Sequence, residues 1–210
     1  MLGTPVESLY HSGKLQSSKW PMIHLSDVLR YVTLWKYGGI YMDLDVLITR
    51  NLEDIGPNFT GLQDEDTVAA GVIGFTSNGH GHEWINKLLT ELNEHYSPDQ
   101  WSYNALGVLH NLLTYICDTE QVANMTTEQC HGYQVQPIDV FYPVPYYQWR
   151  KYFDGNYCDE VLQHVYGNLT RAIHVWNKLS AKERPAHNSA YSVLAAKHCP
   201  KVFQLAADNF

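Results

Sequence analysis

Eleven residues, Trp35-Lys36-Tyr37-Gly38-Gly39-Ile40-Tyr41-Met42-Asp43-Leu44-Asp45, restrict the fold more than any other part of this sequence. Before them, Val28, Tyr31, Val32 and Trp35 recur at helical spacing. Ser26, with Asp27 behind it, reads as an N-cap and an acidic first turn. Two consecutive glycines then end the helix, because glycine accepts the left-handed backbone that closes one. Ile40-Tyr41-Met42 is long enough only for a short strand, and its apolar character predicts burial. Asp43-Leu44-Asp45 follows at the carboxyl end of that strand, the end where ligands collect in open α/β sheets. Val46-Leu47-Ile48 reads as the next strand.

In an extended segment, residues i and i+2 point to the same side. Two carboxylates on one side repel unless something cationic lies between them. A hard divalent ion, manganese or magnesium, does this, and diphosphate oxygens often complete its shell. The ion then stabilises charge on a departing diphosphate. The alternative is a solvated turn with two surface acids, because Asp-x-Asp is a common tripeptide.

The rest of the chain alternates. Val72–Phe75 reads as a strand, Gly81 to Tyr96 as a helix, and Leu106, Leu109, Leu112 and Leu113 as another. Tyr133 to Ile138 is strand-like, Tyr142-Pro143-Val144-Pro145 a rigid loop, and Ala172–Trp176 a late strand. Tyr191, Leu194, Ala195 and His198 mark a closing helix. Strands alternating with helices predict an α/β fold. With no repeat or linker in its 210 residues, the chain is expected to be one domain.

The composition is that of a globular protein, 45% hydrophobic and 17% charged. A net charge of −8 argues against nucleic acid as the partner. No run approaches the length of a membrane span, and the first residues lack the pattern of a signal peptide. Three sequons, at Asn58, Asn124 and Asn168, hint at a lumenal compartment. Cys117, Cys130, Cys158 and Cys199 allow three pairings if all are oxidised, or can be reduced core residues. Cys117 and Cys130 are close enough in sequence to staple a short excursion, and theirs is the bridge expected.

Ser26-Asp27-Val28-Leu29-Arg30 and the block Trp35–Asp45 resemble the donor-site signature of the DXD sugar-binding glycosyltransferases. The runs Phe141–Trp149 and Ala172–Lys178 resemble the animal α-1,4-glycosyltransferases among them. The likeness extends from about Thr4 to Cys199. It implies a GT-A-like fold with a mixed sheet flanked by helices, a single catalytic domain over 1–210 with its donor region at 26–50 and its α-1,4-glycosyltransferase region at 101–200. It also implies manganese (or magnesium), a UDP-sugar donor, a glycolipid or glycan acceptor and retention of anomeric configuration.

Carried over residue by residue, the resemblance makes Asp43 and Asp45 the metal and diphosphate acids and His174 a late metal ligand. Asp27 and Arg30 match residues that hold donor hydroxyls. An acceptor and a forked donor one helical turn apart suit vicinal hydroxyls, although a local helix ion pair would look the same. Tyr41 and Trp176 match donor-pocket positions, or fill the core. No nucleophile is identified.

The sequence departs from the family in three ways. The first strands of the nucleotide-binding half, and with them a Golgi membrane anchor of type II, are expected to precede Met1. Asn104-Ala105-Leu106 stands where Asn-Gly-Pro is usual, and Ala69-Ala70 where Asn-Gly is usual. These departures keep a second reading open, a truncated and inactive sugar-binding module, beside that of a hexosyltransferase of glycosphingolipid biosynthesis.

Overall fold

The computed structural model describes residues 1–167 and 169–206. In chain order its helices and strands are α1 (Glu7–His11), α2 (Pro21–Tyr37), β1 (Gly39–Met42), β2 (Val46–Ile48), β3 (Phe59–Leu62), β4 (Val68–Phe75), α3 (Gly79–His95), α4 (Val108–Cys117), β5 (Gln134–Gln136), α5 (Ile138–Phe141), α6 (Cys158–Gly167), β6 (Ala172–His174), α7 (Asn177–Ser180), α8 (Ala190–His198) and α9 (Pro200–Ala206). The class is α/β, sheet flanked by helices, in keeping with a GT-A-like glycosyltransferase. Contacts divide the chain into two compact units. The first holds Met1–Met42, Ile55–Thr60 and Glu65–Val135, and the second holds Asp43–Asp54, Gly61–Asp64 and the chain from Gln136 on.

In the first unit, α2 starts at Pro21, five residues before the expected N-cap at Ser26. Proline suits the first helical position, where its missing N–H costs nothing and its ring presets φ, so Ser26 lies inside the helix. The buried stripe of α2 runs through His24, Asp27, Val28, Tyr31 and Leu34, at the spacing of one helical face. Gly38 closes the helix with φ 64°, and its N–H donates to the Leu34 carbonyl. A Cβ there would lie 2.5 Å from the Ser77 nitrogen, so glycine is required on steric and conformational grounds.

The sheet order is β1-β4-β3-β5, with β1 antiparallel to β4 from Gly39 opposite Phe75 to Met42 opposite Val72. All eight residues of β4 are buried, as a central strand's near-continuous apolar run requires. By contrast β1 is an edge strand, and Ile40 is 40% exposed. The expected burial of Ile40–Met42 is therefore corrected: an apolar run too short to span a core lies along a rim. Tyr31, Phe59, Phe75, Leu88, Leu112 and Tyr133 are among the fully buried side chains of this unit.

A π-helical turn, Tyr103–Gly107, leads into α4. Its Asn104 is buried, accepting the Ser97 N–H and donating to the Ser97 carbonyl. These bonds come from the one residue of Asn104-Ala105-Leu106 that keeps the family's usual identity. The expected disulfide joins Cys117 to Cys130. Asn124 is exposed inside the loop so closed. Asn58 is different: its Oδ1 accepts the Thr76 N–H, and Thr60 is fully buried. The third sequon begins at Asn168, which lies outside the described residues.

In the second unit, β2 and β6 form an antiparallel ribbon. Its core gathers Leu47, Trp149, Tyr152, Phe153, Val161 and Ile173, with α8 contributing Leu194. The strand expected from Tyr133 to Ile138 is only three residues long, because Pro137 has no N–H to continue a ladder and caps α5 instead. Tyr146–Tyr152 is a 3-10 helix behind Pro145. Cys158 and Cys199 remain thiols. No helix among the described residues is long and apolar enough to cross a membrane.

Candidate functional site

The register of the β2–β6 ribbon builds the acid centre. Val46 pairs with His174, so the residue just before Val46 and the residues just after His174 meet at the ribbon's end. The Val175 N–H donates to the Asp45 carbonyl at 2.9 Å. Asp43-Leu44-Asp45 is a turn, closed by the Val46 N–H to the Asp43 carbonyl, and not the extended segment the sequence suggested. The turn still delivers both carboxylates to one place. His174 Nε2 lies 3.3 Å from Asp45 Oδ1 and 3.8 Å from Asp43 Oδ2. One ligand atom from each of the three residues lies within 4.8 Å of the other two.

Their side chains keep limited access to solvent, 27% for Asp43, 19% for Asp45 and 11% for His174. Two carboxylates and one imidazole in half-buried surroundings form a charge excess that a cation would relieve. Oxygen donors suit a hard divalent ion, and imidazole can complete such a donor set.

The other ring nitrogen is occupied. The Trp176 N–H donates to His174 Nδ1 at 3.1 Å, so Nε2 is the nitrogen turned toward the acids.

Trp176 itself has φ 55° and ψ 50°, a left-handed conformation uncommon for a bulky residue. Its neighbours hold it there. The indole Nε1–H donates to the Val144 carbonyl at 2.9 Å. The next amide, Asn177 N–H, donates to Asp45 Oδ2 at 2.8 Å. The N–H groups of Leu179 and Ser180 donate to the Trp176 carbonyl. Tyr142 packs against both His174 and Trp176, with ring centroids 5.5 and 5.6 Å away. The Asn177 amide and the Tyr142 ring have no signal in a single sequence, since only the ribbon's register brings them to Asp45 and His174.

Asp27, Arg30 and Tyr41 form a cluster of their own within the first unit. Asp27 and Arg30 are 5% and 8% exposed and pair at 3.2 Å. Arg30 Nη1 also donates to the Ala70 carbonyl at 2.8 Å, and its guanidinium stacks on Tyr41 at 4.7 Å. Ala70 stands where the family usually has glycine, and it meets Arg30 through its backbone carbonyl. Arg30 and Tyr41 line a cleft of about 240 Å³ with Met22, Leu25, Leu29 and Thr33, whereas Asp27 is not in its wall.

Comparison with known proteins agrees with the geometry. The alpha 1,4-glycosyltransferase conserved region matches residues 77–206. The glycosyltransferase sugar-binding region containing the DXD motif matches residues 4–61, and it implies a divalent ion. Lactosylceramide 4-alpha-galactosyltransferase of Rattus norvegicus is 29% identical over 202 residues, 94% of this chain and 53% of the relative. The Homo sapiens protein of that name is 27% identical over 94% of this chain and 54% of its own. Alpha-1,4-N-acetylglucosaminyltransferase of Homo sapiens is 27% identical over 96% of this chain and 57% of its own. The chain thus spans about half the length of these relatives. No solved structure matches. With 130 of its 210 residues inside the conserved region, and the acid turn inside the sugar-binding region, the chain belongs to the alpha 1,4-glycosyltransferase family.

Proposed function

We propose that this chain is a catalytic domain of a metal-dependent glycosyltransferase. It would move a hexose from a UDP-sugar, with retention, to the terminal sugar of a glycolipid or glycan in α-1,4 linkage, in the Golgi lumen. The observation that carries the reading is the meeting of Asp43, Asp45 and His174 at the end of the β2–β6 ribbon.

In this reading Asp43, Asp45 and His174 hold manganese. The bound ion would supply Lewis-acid stabilisation to the departing diphosphate. The Asn177 N–H holds one Asp45 oxygen and so orients the other. Trp176 closes one wall of the donor pocket. The resemblance assigns Asp27, Arg30 and Tyr41 to donor hydroxyls, and within the first unit Asp27 pairs with Arg30. Both relatives are named as glycosyltransferases, one of them acting on lactosylceramide.

Calorimetry of UDP binding with and without manganese tests the reading. Tight binding only with the ion is expected, followed by manganese-dependent hydrolysis of one UDP-sugar in a donor screen. Equal UDP affinity in both conditions would refute it.

A further inference from the structure

Beyond the acid centre, the second unit carries an aromatic chain that ends in solvent. His174 and Trp176 have ring centroids 4.4 Å apart, Trp176 and Tyr146 6.1 Å, and Tyr146 and Tyr147 5.5 Å. Exposure rises along it: His174 is buried, Tyr146 is 48% exposed and Tyr147 70%. Leu44, between the two acids, is fully exposed. Tyr146 and Tyr147 touch each other, and adjoining exposed aromatic rings mark binding surfaces more often than singly scattered ones.

The segment is rigid. Pro143 and Pro145 fix the approach, and Pro145 precedes the 3-10 helix that carries both tyrosines. Trp149 and Tyr152 of the same helix are buried in the unit's core and anchor it. Trp176 is kept in its left-handed conformation by the bonds described above, the kind of over-determined strain that collects at functional sites. Tyrosine adds apolar area at low entropic cost, with a hydroxyl at its tip. An edge-to-face tyrosine pair beside a tryptophan presents faces to the apolar side of a pyranose and hydroxyls to its rim.

We infer that Tyr146 and Tyr147, continuing from Trp176, form the subsite for the acceptor: the terminal disaccharide of a neutral glycan, held so that its end reaches the acid centre. This rests on the transferase reading for the word acceptor, but carbohydrate binding at the tyrosines can be tested without it. Tyr146 and Tyr147 bind substrate here and take no part in holding the ion.

The test uses saturation-transfer NMR on the 210-residue chain, with lactose and N-acetyllactosamine as probes, without donor or metal. Binding of at least one probe is expected. Tyr146→Ala and Tyr147→Ala should each raise its Kd by about 2- to 13-fold, the range of one aromatic contact, and Tyr147→Phe should restore stacking. Manganese-dependent UDP binding should be the same in every variant. No contact from either probe, or alanine variants that bind like the parent, would overturn the subsite while leaving the transferase reading intact. UDP binding lost in the tyrosine variants would also overturn it, because the tyrosines would then serve the donor or the fold. If no protein binds UDP with manganese but probe binding still follows the tyrosines, the subsite stands and the transferase reading falls.

Discussion

The cluster at Asp27 and the cluster at Asp43 both join carboxylates to a basic side chain, yet they solve opposite problems. Asp27 and Arg30 are almost fully buried, and one carboxylate meets one guanidinium. Arg30 extends from that pair to a carbonyl and an aromatic face. Charge is balanced within the protein, as burial demands. Asp43, Asp45 and His174 are partly open, and two carboxylates meet one imidazole. A closed pair can position a side chain at a cleft, whereas two carboxylates and an imidazole that keep access to solvent can take up an ion.

The comparison breaks first at Arg30. Arg30→Ala leaves Asp27 buried without its partner, at a cost of about 3–5 kcal/mol of stability. Thermal melts should show a drop of roughly 10 °C, with manganese affinity unchanged. The double variant Asp27→Leu with Arg30→Met should recover most of that stability and still lose donor discrimination. A full recovery of transfer would reduce the pair to packing.

Asp45→Asn should do the reverse. It replaces a charged ligand by a neutral one, so manganese-dependent turnover should fall by roughly 100-fold or more, about 2.7 kcal/mol. Melting in the absence of metal should change little. A variant whose turnover is unchanged at low manganese would remove the triad from the reaction.

Removing the Cys117–Cys130 bridge sharpens the contrast between a stapled first unit and a second with two thiols. Replacing both cysteines by serine should cost about 3 kcal/mol, the loop-closure value for a span near 15 residues. Denaturant titration checks this. Loss of UDP binding without loss of stability would contradict it.

A smaller effect belongs to His24. Burial lowers its pKa below the ordinary 6.5, so the folded ring stays neutral where the unfolded one takes a proton. Its contribution is full above about pH 6.5 and is lost as pH falls from there toward the folded value. At pH 5.5 the loss is at most about 1.4 kcal/mol. Urea melts of the parent and His24→Gln at pH 7.5 and 5.5 should differ in this sense, and parallel pH dependence would exclude His24 as the cause. The smallest effect concerns carbohydrate on the protein itself. If the chain is made in a secretory lumen, Asn124 should carry a glycan and Asn58 should not, because Asn124 is exposed and Asn58 is bonded to the end of the sheet. Asn124→Gln should shift the mass on a gel with no change in melting.

By itself the sequence determined the class, the helix-glycine-strand-acid order, the acid pair, the bridge and the family, because these are local or lie in contiguous motifs. The start of α2 is also a local signal, Pro21 at the first helical position, five residues ahead of Ser26. Tertiary structure alone decided the rest. It put β1 at a sheet edge, turned the acids on a bend instead of a strand, and set Val46 opposite His174. A register between segments 128 residues apart has no local signature, since it follows from which apolar faces can be buried together. That same register brings the Asn177 amide to Asp45 and forces Trp176 into a conformation no propensity would assign it.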